Sequence, residues 1–90
     1  MQIVEKERVF KALSDYNRLM IMDMIKDKEL CAMQILEQTK MGQSTLSHHM
    51  KILCDSGIVA SRKDSRWVYY KVNKNLAEEV GQSLTEWVRG

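Results

Sequence analysis

Few side chains of this sequence can carry chemistry. They are Cys31 and Cys54, the adjacent pair His48 and His49, the polar run Gln43, Ser44, Thr45 and Ser47, and the cations Arg62, Lys63 and Arg66. Thiols and imidazoles can act as soft-metal ligands or nucleophiles. Neighbouring histidines on a helix point about 100° apart, so His48 and His49 cannot chelate one ion together. The 4 glycines are scattered singly, so no phosphate-cradling loop is present. No nucleophile has a base and an orienting acid at workable spacing. The residues therefore predict no enzyme and no cofactor. Short polar side chains near a set of cations serve a different chemistry. They offer hydrogen-bonding groups to base edges and positive charge to phosphates.

Charge is distributed to match. The net charge of +2 hides a basic middle. Residues 40–74 hold Lys40, Lys51, Arg62, Lys63, Arg66, Lys71 and Lys74 against only Asp55 and Asp64. The flanking segments are acidic on balance, so an anionic partner is expected to dock on the central third.

The elements that must position these groups follow from periodicity. Gln2 to Leu13 reads as an amphipathic helix with Ile3, Phe10 and Leu13 on its apolar side. Ser14 and Asp15 can cap a second helix, about Tyr16 to Lys26, which is apolar nearly all round and so expected to be buried. Lys28 to Leu30 is a short connection, and Cys31 to Gln38 a brief third helix. Lys40-Met41-Gly42 is a turn. A fourth helix, about Gln43 to Ser56, has Leu46, His49, Met50 and Leu53 on one face and polar residues on the other, with Gly57 as its stop. The period then changes from 3.6 to 2. Ile58 to Lys63 and Arg66 to Val72 are strands around a tip at Asp64-Ser65. Val68, Tyr70 and Val72 share one face, and Trp67, Tyr69 and Lys71 the other. Asn73 can cap a last helix with a stripe of Leu76, Val80, Leu84, Trp87 and Val88.

The fold expected is a single domain over residues 1–90, mostly α with a small β-hairpin. It is a winged helix-turn-helix of order α1-α2-α3-α4-β1-β2-α5. In that arrangement the fourth helix enters the major groove of double-stranded DNA. Gln43, Ser44, Thr45, Ser47, His48 and Lys51 are the candidate readers, and Arg62, Lys63 and Arg66 the wing cations. A winged helix used for protein contacts is the alternative, but such a wing needs no three cations at its tip. His49 shares the face of Leu46 and Met50, so it reads as a part-buried histidine bonded to backbone or phosphate.

The runs ALSDYNRLMIMDMI, ELCAMQILEQTKMGQSTLSHHMKIL and DSGIVASRKDSRWVYYKVN resemble the ArsR–SmtB family of winged-helix repressors, over about residues 9–75. The resemblance implies a homodimer built from the first and last helices, an inverted-repeat operator, and release of DNA on binding an inducer. It also implies a Cys-x-Cys pair opening the third helix of metal-sensing members. Here Cys31 holds the first position, Met33 the second, and Leu36 the place where arsenic sensors can add a third thiol. Residues 73–90 contain no His, Cys or Asp, the ligands of the family's zinc-type site on the last helix. No metal ligand set is therefore expected. The candidate sensors are the thiols themselves. Cys31 stands at a helix N-terminus, where the dipole can make a thiol reactive. Cys54, otherwise a small space-filler, could be its disulfide partner if the fold brings their Cα atoms within ~7 Å.

The last helix's stripe is too apolar to face water on so small a domain. Leu76, Val80, Leu84 and Trp87, with Ile3 and Phe10 of the first helix, are the candidate dimer interface. No apolar run approaches the ~20 residues of a membrane span. The charged N-terminus does not read as a signal peptide, so a cytoplasmic location is expected.

Overall fold

The computed structural model describes all 90 residues. Its elements are α1 (Ile3–Leu13), α2 (Tyr16–Ile25), β1 (Leu30–Cys31), α3 (Ala32–Glu37), α4 (Gln43–Ser56), β2 (Val59–Asp64), β3 (Trp67–Val72) and α5 (Lys74–Arg89). The helices and the hairpin stand in the expected order, with one addition. Leu30–Cys31, expected as a connection and a helix start, forms a third strand. It lies antiparallel to β3, so the sheet order is β1-β3-β2. The wing is thereby tied to the segment that opens the helix-turn-helix.

Local chemistry sets the boundaries. Asp15 caps α2, its carboxylate accepting from the N–H groups of Asn17 at 2.8 Å and Arg18 at 3.1 Å. Gln34 reaches back to accept from the N–H of Cys31 at 2.8 Å, fixing the start of α3. Gly57 ends α4 in the left-handed region, φ 88°, with its N–H donating to the carbonyl of Cys54. Asn73 does two things at once. Its Oδ1 accepts from the N–H of Leu76, capping α5, while its Nδ2 donates to the carbonyl of Gly57. The end of α4 and the start of α5 are thus joined through one side chain.

The core is one cluster around Ile21, Ile25, Ile35, Leu46, Leu53 and Ile58. From α4 it takes Leu46, Met50 and Leu53, with His49 buried on the same face, completing the i, i+3, i+4, i+7 set. The second helix is not buried all round. Ile21 and Ile25 face the core, while Tyr16 and Leu19 are exposed. The last helix also divides. Val80 is 5% exposed and belongs to the chain's core, and Leu76 packs against that core.

Registers in the hairpin pair Val59 with Val72, Ser61 with Tyr70, Arg62 with Tyr69 and Asp64 with Trp67. Cross-strand partners share a face and successive residues alternate. Val68, Tyr70 and Val72 therefore share one face, and Trp67, Tyr69 and Lys71 the other. The turn residues are Ser65 and Arg66, with Ser65 at φ 57°. The tip lies one residue later than expected, and Arg66 is part of it.

Candidate nucleic-acid interface

Helix α4 divides by its period. The core set fixes its orientation, and Gln43, Ser44, Thr45, Ser47, His48 and Lys51 are all exposed on the remaining faces. Lys51 pairs with Asp55 at 3.1 Å, one turn along the same helix. The short side chains at 44, 45 and 47 leave the backbone of the first two turns free to approach a groove closely.

The wing cations are less alike than their sequence suggests. Lys63 and Arg66 are exposed, with Arg66 stacked over the ring of Trp67 at 5.3 Å. Arg62 is engaged elsewhere. Its Nε donates to both carboxylate oxygens of Glu29 at 2.9 and 3.1 Å, and its Nη2 donates to the same group. It also lies over the Tyr69 ring at 4.6 Å and 3.6 Å from Asp64. The hydrogen bonds from Arg62 hold the Glu29 carboxyl below the usual carboxylate range, and the same bonds raise the guanidinium. Arg62 was expected as a free phosphate contact. In the free protein it instead clamps β2 to the residue before β1, across the face of β3. Glu29 carried no signal in the sequence, because the pair is separated by 33 residues and meets only through the sheet.

Behind α4 lies a second unforeseen contact. His49 is 7% exposed, and its Nδ1 lies 3.1 Å from Nη1 of Arg18 on α2. Arg18 Nε donates to the carbonyl of Ala12 at the end of α1, at 2.6 Å. The expected partner of His49 was backbone or phosphate, and the partner found is a guanidinium. Through it α4 is bonded to α1 and α2 together. The backbone N–H of Arg18 is the main reason that the Asp15 carboxyl is lowered, with the Arg18 charge adding to it.

The two cysteines are free thiols on opposite sides of the sheet. Cys31 pairs in register with Tyr69, on the face of Arg62. Cys54 lies by Ser61 and Tyr70, on the other face. Their side chains lie on different faces of the sheet, and both are free. Cys31 is buried, at 8% exposure, whereas Met33 is exposed. Burial pushes the Cys54 thiol up, away from the reactive thiolate, against a lowering hydrogen bond with Ser61. Burial likewise raises the Tyr70 phenol.

The remaining candidates form an apolar surface. Ile3 is 82% exposed, and Leu84, Trp87 and Val88 are also exposed. Phe10 is half-buried, stacked on Trp87 with ring centroids 6.2 Å apart. The first and last helices therefore meet on this surface. Val80, and in part Leu76, point the other way into the protomer.

Comparison with known proteins places this arrangement. Residues 15–61 match the family of bacterial regulatory proteins described as the arsR family. The arsenical resistance operon repressor of Staphylococcus aureus is 40% identical over 84 residues, covering 93% of this chain and 81% of the repressor. Among solved structures, a homodimeric winged helix-turn-helix DNA-binding domain from Mycobacterium bovis, a possible ArsR-family transcriptional regulator, is 27% identical. It superposes with a TM-score of 0.79 over 97% of this chain and 80% of that one. An ArsR-like transcriptional regulator from Rhodococcus sp. RHA1 shares the fold at a TM-score of 0.83, with 24% identity, over 96% of this chain and 85% of that one. With its helix-turn-helix, its basic wing and these relatives, the chain belongs to the arsR family of winged helix-turn-helix transcription regulators.

Proposed function

We propose that this protein is a homodimeric, sequence-specific DNA-binding repressor that an inducer releases from its operator. One observation carries the reading. The exposed face of α4 is polar and uncommitted from Gln43 to His48, on a helix whose other face is locked into the core. Ser47 and His48 read base edges, and Lys63 and Arg66 meet phosphates. Arg62 holds the wing in place through Glu29 and acts on DNA through wing position. Two-fold pairing through Ile3, Phe10, Leu84 and Trp87 presents two α4 helices to the half-sites of an inverted repeat. The chain has no helix long and apolar enough to cross a membrane.

Burial at Cys31 and the raised Cys54 thiol favour an inducer that does not depend on an exposed thiolate. The test is a titration onto the DNA upstream of the chain's own gene, and onto duplexes selected from a random library. It is repeated with reductant, peroxide, persulfide and thiophilic metal ions, for wild type, Cys31→Ser and Cys54→Ser. The expected result is tight binding to one selected sequence, with the serine variants released by the same agents as wild type. Equal affinity for all duplexes would remove the sequence-specific reading. Release by a thiol reagent that spares Cys31→Ser would restore the cysteine as sensor.

A further inference from the structure

The junction behind the recognition helix sets a condition on the protonation of His49. Arg18 can only donate, since a guanidinium has no acceptor. At 3.1 Å from Arg18 Nη1, the His49 Nδ1 must therefore be the acceptor, with the ring neutral and its proton on Nε2. Adding a proton to Nδ1 puts two donors and two positive charges face to face in a site that is 7% exposed. Arg18 has little freedom to retreat, because its Nε is bonded to the Ala12 carbonyl at 2.6 Å and its backbone N–H to Asp15.

From this geometry we infer that His49 is a proton-sensitive positioning residue. Its neutral form holds α4 in the DNA-reading orientation, and its protonation opens the Arg18–His49 junction and weakens DNA binding. The inference rests on the DNA-binding reading above and adds a pH response to it.

The surroundings do not cancel the effect. On α2 and its cap, Arg18 opposes the added proton and Asp15 favours it. Asp15 Oδ1 accepts from two backbone N–H groups, and its Oδ2 stands 4.0 Å from Arg18 Nη1, so the carboxylate is shared with the guanidinium that opposes the proton. On α1, Arg8 and Lys11 line the same recess as Arg18; Arg8 adds positive charge, while Lys11 is paired with Glu7 at 3.8 Å. On α4 itself, Asp55 lines that recess and is paired with Lys51, while the His48 ring lies 6.0 Å from that of His49. On α3, Glu37 lines a different recess, beside Asn17, Met20 and Lys40. On β2, Arg62 and Asp64 are engaged with each other in the wing, and Lys63 is near the exposed tip. Ser47 and His48 directly precede His49 on the helix, so a shift that separates His49 from Arg18 displaces the readers. Hydrogen bonds to base edges tolerate only ~0.5 Å of such displacement.

The experiment compares wild type with His49→Asn, whose Oδ1 takes the place of Nδ1 as an acceptor that cannot titrate. The probe is the tightest duplex selected from a random library, at fixed salt and at pH values stepped from about 7.5 to about 5.5. Both proteins carry His48, so the difference between them reports on position 49. Wild type is expected to lose affinity as pH falls, with a slope that approaches tenfold per pH unit for uptake of one proton, and His49→Asn to lose far less. Equal losses, or a wild type that binds no more weakly in acid, overturn the inference. A second measurement needs no variant. Nitrogen-15 NMR of wild type should show an unprotonated Nδ1 on His49 at neutral pH. That nitrogen should gain its proton together with shifts of the Ser47 and His48 amides. A protonated Nδ1 at neutral pH, or amides that do not follow the ring, overturns the inference. If no duplex binds at any pH, the DNA-binding reading falls, and the NMR titration still decides whether the junction opens.

Discussion

Ser47 and His48 are exposed on a helix whose orientation the core determines, so their substitution should change which sequence is read rather than how well the protein folds. Ser47→Ala or His48→Ala is expected to relax base preference by about 1–3 kcal/mol at the contacted pair, measured by competition among variant duplexes. Lys63→Ala and Arg66→Ala should weaken binding to every sequence alike and reduce the salt slope by about 0.9 for each phosphate that is no longer neutralised. Arg62→Ala should leave that slope nearly intact, because Arg62 is already paired with Glu29. A slope that falls as much for Arg62→Ala as for Arg66→Ala would return Arg62 to the phosphate-binding set. At this scale the polar face of α4 was legible, because helical period and side-chain size are local properties. The partners of Arg62 and His49 were not. Glu29 and Arg18 lie 33 and 31 residues away, and nothing in a local pattern announces a meeting made by tertiary packing.

Elements depend on their ends. Asp15 caps α2, and its carboxyl is held low chiefly by the Arg18 N–H. A lowered carboxylate contributes stability that is present above the unfolded value and lost as pH falls through the folded one. Asp15→Asn keeps an acceptor oxygen but not the charge. Its melting temperature should lie below that of wild type near pH 7, with the gap closing below about pH 4. Thermal unfolding across that range checks it, and a gap that widens in acid contradicts it. Gly57 is the other demanding end. It sits at φ 88°, and an added Cβ would meet Leu76 Cδ2 at 3.3 Å. Gly57→Ala should cost about 1–2 kcal/mol from the left-handed backbone alone. For a domain of this size that lowers the melting temperature by roughly 4–8 °C per kcal/mol. An unchanged melting temperature would show that the junction of α4 and β2 relaxes freely. Both ends were readable, since Asp and Gly announce caps and stops. Strand β1 was not, because two residues have no periodicity to read and Leu30–Cys31 is a strand only by virtue of β3 beside it.

On the whole molecule, Ile3, Leu84, Trp87 and Val88 leave apolar area uncovered in the protomer, which is the area a two-fold partner can bury. Each side chain enters such an interface twice, so losing about 1.5 kcal/mol per copy weakens dimerisation on the order of a hundredfold. Leu84→Glu and Trp87→Glu should therefore sediment as folded monomers at micromolar concentration. Val80→Glu should instead unfold, since Val80 lies in the protomer's core. Folded dimers for both surface variants would place the interface elsewhere. The stripe on α5 was legible as apolar, but how it divides between core and surface depends on how α5 is seated, from Leu76 beside Gly57 to Trp87 on Phe10. The central claim joins this interface to the α4 surface, and one measurement tests both. Hydroxyl-radical footprinting on the tightest library-selected duplex should show two protected half-sites about one helical turn apart, related by inverted symmetry. Ser47→Ala should blur the sequence of both halves together. A single protected half-site, protection that spreads evenly along the duplex, or a selected sequence indifferent to Ser47 would contradict the account.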